Sequence, residues 1–161
     1  MLMRPEEKLV SLLKEKGLVA ATAESCTGGL IAKRITDVSG SSSVFNCGIV
    51  SYSNEIKHSV LGVSEETLCR YGAVSEQTVR EMVLGVLRVS NADIAVAVSG
   101  IAGPASDNTD KPVGLIFLAA SNGKKTVVKK LQNKFTGDVR RLNRKSASDE
   151  ALKILLSLAG E

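Results

Sequence analysis

The feature that most constrains this chain is an alternation of short apolar runs with stretches of helical periodicity. The apolar runs fall at Leu18–Ala23, Val44–Tyr52, Ile94–Val98, Val113–Ala120 and Thr126–Leu131. Between them, apolar residues recur three and four apart. Pro5 suits a first helical turn, Leu9, Leu12 and Leu13 share a face, and Gly17 is a stop signal. Leu30, Ile31 and Ile35 form a second face after Gly28-Gly29, and Asn54–Val60 reads as a short helix or turn. Ser64-Glu65-Glu66 caps a helical turn running to Arg70. Ser75-Glu76-Gln77 precedes Val79, Met82, Val83, Val86 and Leu87, a long amphipathic helix. The last helix, about Val139 to Leu158, carries Leu142, Leu152, Leu155 and Leu156. Asn122-Gly123 joins the last two apolar runs as a hairpin. Buried strands alternating with helices and ending in a hairpin predict a three-layer α/β/α sandwich with a mixed sheet of about five strands. With 161 residues and no repeat, linker or low-complexity tract, residues 1–161 are expected to form a single domain.

Composition narrows the function classes. No apolar stretch approaches the roughly 18 residues of a membrane span, and the charged N-terminus does not resemble a signal peptide. Cys26, Cys47 and Cys69 are odd in number and lack metal-ligand or paired spacing, which argues against a disulfide framework and against a zinc site. A soluble, cytoplasmic protein is expected. The net charge of +4 conceals an asymmetry: Lys124 to Lys145 holds nine Lys/Arg against Asp138 alone, leaving +8 there and −4 elsewhere. Such a basic third suits a phosphorylated ligand, whereas a solvated face explains most of its lysines. Phe135 is the single aromatic residue inside it, too few for a stacking surface, so nucleic-acid binding by base stacking is not expected.

Three polar loops adjoin the apolar runs, where open α/β sheets usually bind ligands. Glu24 to Gly29 places Ser25, Thr27, Gly28 and Gly29 at a helix start, suited to an anion or to ordinary capping. Gly40 to Ser43 places Ser42 in a serine turn, followed by Tyr52 at a strand end and Lys57. The single histidine, His58, has no evident acid partner, so a lysine is the better candidate base for a serine nucleophile. To act near neutrality Lys57 would have to titrate roughly three pH units below about 10.4, at a cost on the order of 4 kcal/mol. Ser99 to Lys111 has two glycines and a proline, which let backbone approach a ligand closely or simply form a turn. Cys26 is a minor nucleophile candidate if a helix N-terminus favours its thiolate.

Taken in order, Ala23-Glu24-Ser25-Cys26-Thr27-Gly28-Gly29, Gly40-Ser41-Ser42, Gly48 to Asn54 with Lys57, Leu61-Gly62-Val63 and Gly72-Ala73-Val74-Ser75 resemble one family. Val98 to Pro104, Lys111 to Gly114 and Phe135-Thr136-Gly137-Asp138 continue the likeness. It is the CinA C-terminal domain family, the nicotinamide-nucleotide amidohydrolases. The resemblance implies metal-free, cofactor-free hydrolysis of nicotinamide mononucleotide to nicotinic acid mononucleotide and ammonia. It implies Ser42, Tyr52 and Lys57 as the catalytic group, with Ser25, Thr27, Gly28, Gly29, Ser99, Gly100 and Arg140 holding the nucleotide. It further implies a homodimer, with no membrane or nucleic-acid partner. A stand-alone form is expected, because many relatives add an N-terminal domain resembling a molybdopterin-binding fold. Two departures stand out. Ser106-Asp107 replace the family's Gly-Gly, and Gly137-Asp138-Val139-Arg140 is one residue longer than its Gly-Asp-Arg. Both also fit the rival expectation of a non-catalytic nucleotide-binding or adaptor protein.

Overall fold

The computed structural model describes residues 2–161. In chain order the elements are α1 (Pro5–Lys16), β1 (Ala20–Glu24), α2 (Leu30–Thr36), a single 3-10 turn (Ser41–Ser43) and β2 (Phe45–Val50). Then come α3 (Asn54–Ser59), α4 (Glu65–Tyr71), α5 (Glu76–Ser90), β3 (Ile94–Gly100), β4 (Leu115–Ser121), β5 (Thr126–Gln132) and α6 (Val139–Gly160). The strands form one mixed sheet in the order β2-β1-β3-β4-β5. β1 pairs in parallel with both β2 and β3, whereas β3–β4 and β4–β5 are antiparallel.

The period of two along each inner strand sends alternate side chains to opposite faces, which gives the sheet two cores. Ile94, Val96, Val98, Ile116 and Leu118 face α1, α2 and α6, where they meet Leu9, Leu13, Ile31, Leu152 and Leu155. Ala21, Ala23, Ala95, Ala97 and Ala119 face α5 and meet Val79, Met82, Val83 and Val86. Burial of each of these leucines contributes roughly 2 kcal/mol. Alanine is a poor strand former in isolation, yet every residue of β1 is buried. Small side chains between two helical layers outweigh the intrinsic preference here.

The sandwich and its five strands match the expectation from the sequence; the differences lie at element ends. β1 begins at Ala20 rather than Leu18 and takes in Glu24, and β3 runs on to Gly100. The hairpin loop spans four residues, not two. Asn122 Oδ1 accepts from the amides of Lys124 and Lys125 at 3.0 and 2.8 Å, a side-chain-closed turn.

Topology then decides what can meet. Because β1, β2 and β3 are parallel, Glu24, Val50 and Val98 lie in register at one edge of the sheet, and Ala20, Phe45 and Ile94 at the other. The segments after Glu24, after Val50 and after Gly100 therefore converge. The segment Gly40–Ser43, which precedes β2, belongs to the opposite edge. Short α2 is anchored from behind by Arg34, which bonds Glu6 at 2.9 Å, Asp149 at 2.7 Å and Ser148 at 2.8 Å and so ties α1, α2 and α6 together.

Candidate active site

Glu24 ends β1 with its carboxylate buried, and the chain must turn at once into α2. Gly28 and Gly29 make that turn with φ of 58° and 99°, a backbone region that side chains with a Cβ disfavour. The turn folds α2 back over Glu24, whose Oε1 and Oε2 accept from the amides of Ile31 and Ala32 at 2.9 and 3.0 Å. A carboxylate on first-turn amides is a charge-assisted cap at the positive end of the helix. The Ile31 and Ala32 amides are thus already occupied, which realises the capping alternative for these two donors of the helix start. The two glycines serve the turn itself.

Inside the turn, Ser25 continues the sheet through its amide, which donates to Val98 O at 3.0 Å. Its side chain meets Lys57 from α3. Ser53 caps α3 by accepting from the Ile56 amide at 3.2 Å, which orients this short helix and turns Lys57 inward. Lys57 is the largest fully buried side chain among the described residues, at 1% exposure. Its Nζ lies 3.0 Å from Ser25 Oγ and donates to Ser51 O at 2.7 Å. No carboxylate pairs with it among these bonds. Burial penalises the ammonium, so Lys57 titrates at about 8. That is the shift the sequence argument required of a lysine base.

Ser42 lies elsewhere. It is exposed in the 3-10 turn before β2, while Lys57 follows the far end of that strand. The six residues of β2 alone part the two by roughly 17 Å within one chain. The expectation that Lys57 activates Ser42 is therefore corrected: the serine within reach is Ser25. Cys26 fails as a nucleophile for another reason. Burial, together with the nearby Glu24 charge, pushes its thiol up to about 12, so it stays protonated.

Beside Cys26 opens a cavity of about 250 Å³ walled by Tyr52, Val74, Gly100 to Gly103, Asp107 and Arg140. Arg140, in the first turn of α6, donates to Tyr52 Oη and to Gly103 O, both at 2.9 Å. Tyr52 is largely exposed, so this pair forms a cationic, hydroxyl-bearing rim rather than part of the buried serine–lysine contact. Of the remaining expected ligand residues, Gly100 lines the cavity, while Ser99 and Thr27 are buried beside it. A Cβ on Gly100 would sit 2.7 Å from Ile116 Cγ1, which shows how tightly that wall packs. The extra residue before Arg140 is absorbed at Gly137, with φ 82°, and Asp138, which caps α6 through the Arg141 amide.

Two contributors escaped the sequence. One is Glu24 as the cap of α2; the only signal for it was an acid directly before a glycine pair. The other is the partner set of Arg144, which the sequence offers only as a companion to Arg140 as phosphate candidate, one turn later on the same face: its Nε and Nη2 donate to Cys26 O at 3.1 Å and Thr27 O at 2.9 Å. The basic third is largely spent on neighbours, with Lys125–Glu161, Lys129–Glu150 and Lys145–Asp149 in pairs. Among the described residues no cluster of three or more His, Cys, Asp or Glu could hold a metal ion, and no helix is long and apolar enough to cross a membrane.

Comparison with known proteins gives a consistent result. The family profile of the CinA C-terminal domain matches residues 3–159. A protein of Enterobacter agglomerans named nicotinamide-nucleotide amidohydrolase PncC is 56% identical over 126 residues, covering 78% of this chain and 76% of its own length. A putative competence-damage inducible protein of Thermoanaerobacter pseudethanolicus is 51% identical over 78% of this chain, which spans 30% of that longer protein. Among solved structures, the competence/damage inducible protein CihA of Agrobacterium tumefaciens superposes with a TM-score of 0.88 at 40% identity, covering 98% of both chains. A CinA superfamily protein of Klebsiella pneumoniae reaches 0.91 at 33% identity, over 97% of this chain and 96% of its own.

Proposed function

The chain belongs to the CinA C-terminal domain family, and from that premise we propose that it hydrolyses the carboxamide of nicotinamide mononucleotide, with Ser25 as nucleophile and Lys57 as general base. The observation that carries this reading is the buried contact of Lys57 Nζ with Ser25 Oγ at 3.0 Å. The reaction class is supported by likeness to the Enterobacter amidohydrolase.

The chemistry follows from the protonation state. Neutral Lys57 takes the Ser25 proton as Oγ attacks the carboxamide carbon, and the carbonyl oxygen becomes an oxyanion. The resulting ammonium passes its proton to the amide nitrogen, the C–N bond breaks and ammonia leaves. Lys57, neutral again, then takes a proton from water attacking the Ser25 ester. Nicotinic acid mononucleotide departs and Ser25 recovers its proton. Arg140 and the Tyr52 hydroxyl at the cavity rim would meet the nucleotide's phosphate, a role that needs a cation and a donor. No step calls for a metal.

Ammonia release from nicotinamide mononucleotide by the purified protein tests the proposal. Turnover by the wild type that is lost in Ser25→Ala and in Lys57→Ala is the expected result. A wild-type protein that binds the nucleotide without releasing ammonia would sink the enzyme reading and leave the binding-protein alternative. Full activity in Ser25→Ala would sink the nucleophile assignment alone.

A further inference from the structure

Hydrolysis through Ser25 creates an oxyanion, and the donors nearest in sequence are the amides that follow the serine. We propose that Arg144 is a positioning residue for that turn: it holds the Cys26 and Thr27 carbonyls from behind, so that the Cys26–Thr27 peptide presents its N–H toward the reacting centre. The inference rests on the amidohydrolase reading above and extends it to a residue that does not touch the substrate.

The geometry is specific. Arg144 lies on α6, more than a hundred residues from the turn, and spends two guanidinium donors on two consecutive carbonyls, 3.1 Å to Cys26 O and 2.9 Å to Thr27 O. A trans peptide holds its C=O and N–H on opposite sides. Cys26 O and the Thr27 N–H belong to the same peptide, so drawing the carbonyl toward α6 aims that N–H away from α6. A cation on the carbonyl also polarises the peptide and makes its N–H a stronger donor. The rest of the turn is pinned independently. The Ser25 amide is fixed on Val98 O, the Gly28 amide on Ser25 O, and the Glu24 carboxylate on the amides of Ile31 and Ala32. Arg144 secures the Cys26–Thr27 peptide through Cys26 O, while Thr27 O also accepts from the Leu30 amide at 3.0 Å. Arg140, one helical turn earlier on α6, faces the cavity rim instead and bonds Tyr52 Oη and Gly103 O. The two arginines thus divide the labour, one for the ligand and one for the backbone.

A lysine cannot reproduce the fork that spans two carbonyls. In Arg144→Lys and Arg144→Gln we expect kcat for ammonia release to fall about 10- to 100-fold, less than the roughly 10²- to 10³-fold cost of losing an oxyanion donor outright. KM should stay within about threefold and the pH midpoint of kcat/KM should be unmoved, because Lys57 and the rim are untouched. Arg144→Ala assayed with added guanidinium ion should regain part of the lost kcat, a rescue that a purely structural role would not give. Circular dichroism and thermal melting establish that each variant is folded at the assay temperature. A rise in KM at unchanged kcat would overturn the proposal and make Arg144 a ligand contact. Unchanged kcat in a folded but less stable variant would overturn it in favour of simple packing. Activity surviving in Ser25→Ala would instead remove the reading on which the inference stands, so the two failures are told apart.

Discussion

Two serine-bearing turns sit at opposite edges of the same sheet, and they differ in what surrounds the hydroxyl. The Ser41–Ser43 turn is entered through Gly40 at φ 81° and exposes Ser42 and Ser43 to water, with Ser43 Oγ donating back to Gly40 O at 3.0 Å. The Ser25 turn is almost closed to water, with its serine 8% exposed and its hydroxyl against a buried lysine. The first turn is built from the residue types of a nucleophile loop and has no base. The second has a buried lysine at hand because parallel β1 and β2 bring their C-terminal ends together. A nucleophile is defined by what can take its proton, and strand direction, more than local composition, decides which serine meets that condition.

The largest effect that would break this contrast is in turnover. Ser25→Ala and Lys57→Ala should each lower kcat for ammonia release by at least about 10³-fold. Ser42→Ala should leave kcat and KM within about twofold. Equal losses at both serines would mean that the two turns cooperate in catalysis and would erase the difference between them.

The pH profile comes next. Lys57 must be neutral to accept the serine proton, and burial lowers its pKa to about 8. kcat/KM should therefore rise about tenfold per pH unit below 8 and level off above it. A profile already flat at pH 6 would show that no lysine with this titration is the base.

Stability offers a smaller, independent check with the opposite sign to most core substitutions. The folded pKa of Lys57 lies below the ordinary 10.5. The unfolded chain therefore binds more protons between pH 8 and 10.5, and stability at this site rises as pH climbs through that window. Below pH 8 the full penalty applies, about 3 kcal/mol from the size of the shift. Lys57→Met removes the penalty but leaves Ser51 O without its donor. The net expectation is a gain of about 1–2 kcal/mol at pH 7 in urea unfolding, alongside loss of activity. A destabilised Lys57→Met would show that the lysine is held comfortably as a cation.

Much of this was legible in the sequence, and the exceptions share a cause. Helix caps at Ser64 and Ser75 are local chemistry, and the structure places them where the sequence did, accepting from the Thr67 and Thr78 amides. Lys57 was readable as a candidate base because the lone histidine lacked an evident partner. Its serine was not. Ser42 stands fifteen residues before Lys57 and Ser25 thirty-two before it, so proximity along the chain favours Ser42, whereas the contact is with Ser25. Only the parallel pairing of β1 with β2 reverses the order. The partners of Arg144 were hidden for a related reason: beside Arg140 it reads as facing a phosphate, yet it bonds backbone carbonyls, and a carbonyl leaves no mark in a sequence.

The smallest expected effect concerns the cavity wall, where Asp107 faces the same space as Arg140. Its carboxylate accepts from the Thr109 amide at 3.1 Å and from the Thr109 hydroxyl, closing a local turn. Asp107→Asn keeps an acceptor for that turn and removes only the charge. An exposed anion a few ångströms from a phosphate costs about 1 kcal/mol in water-like surroundings. KM for nicotinamide mononucleotide should therefore fall about threefold in Asp107→Asn, with kcat unchanged, and the difference should shrink in high salt. The same substitution should do nothing for the nucleoside, which lacks the phosphate. An equal gain with nucleoside and nucleotide would place the phosphate away from Arg140 and break the division between a ligand-binding rim and a buried Ser25–Lys57 centre.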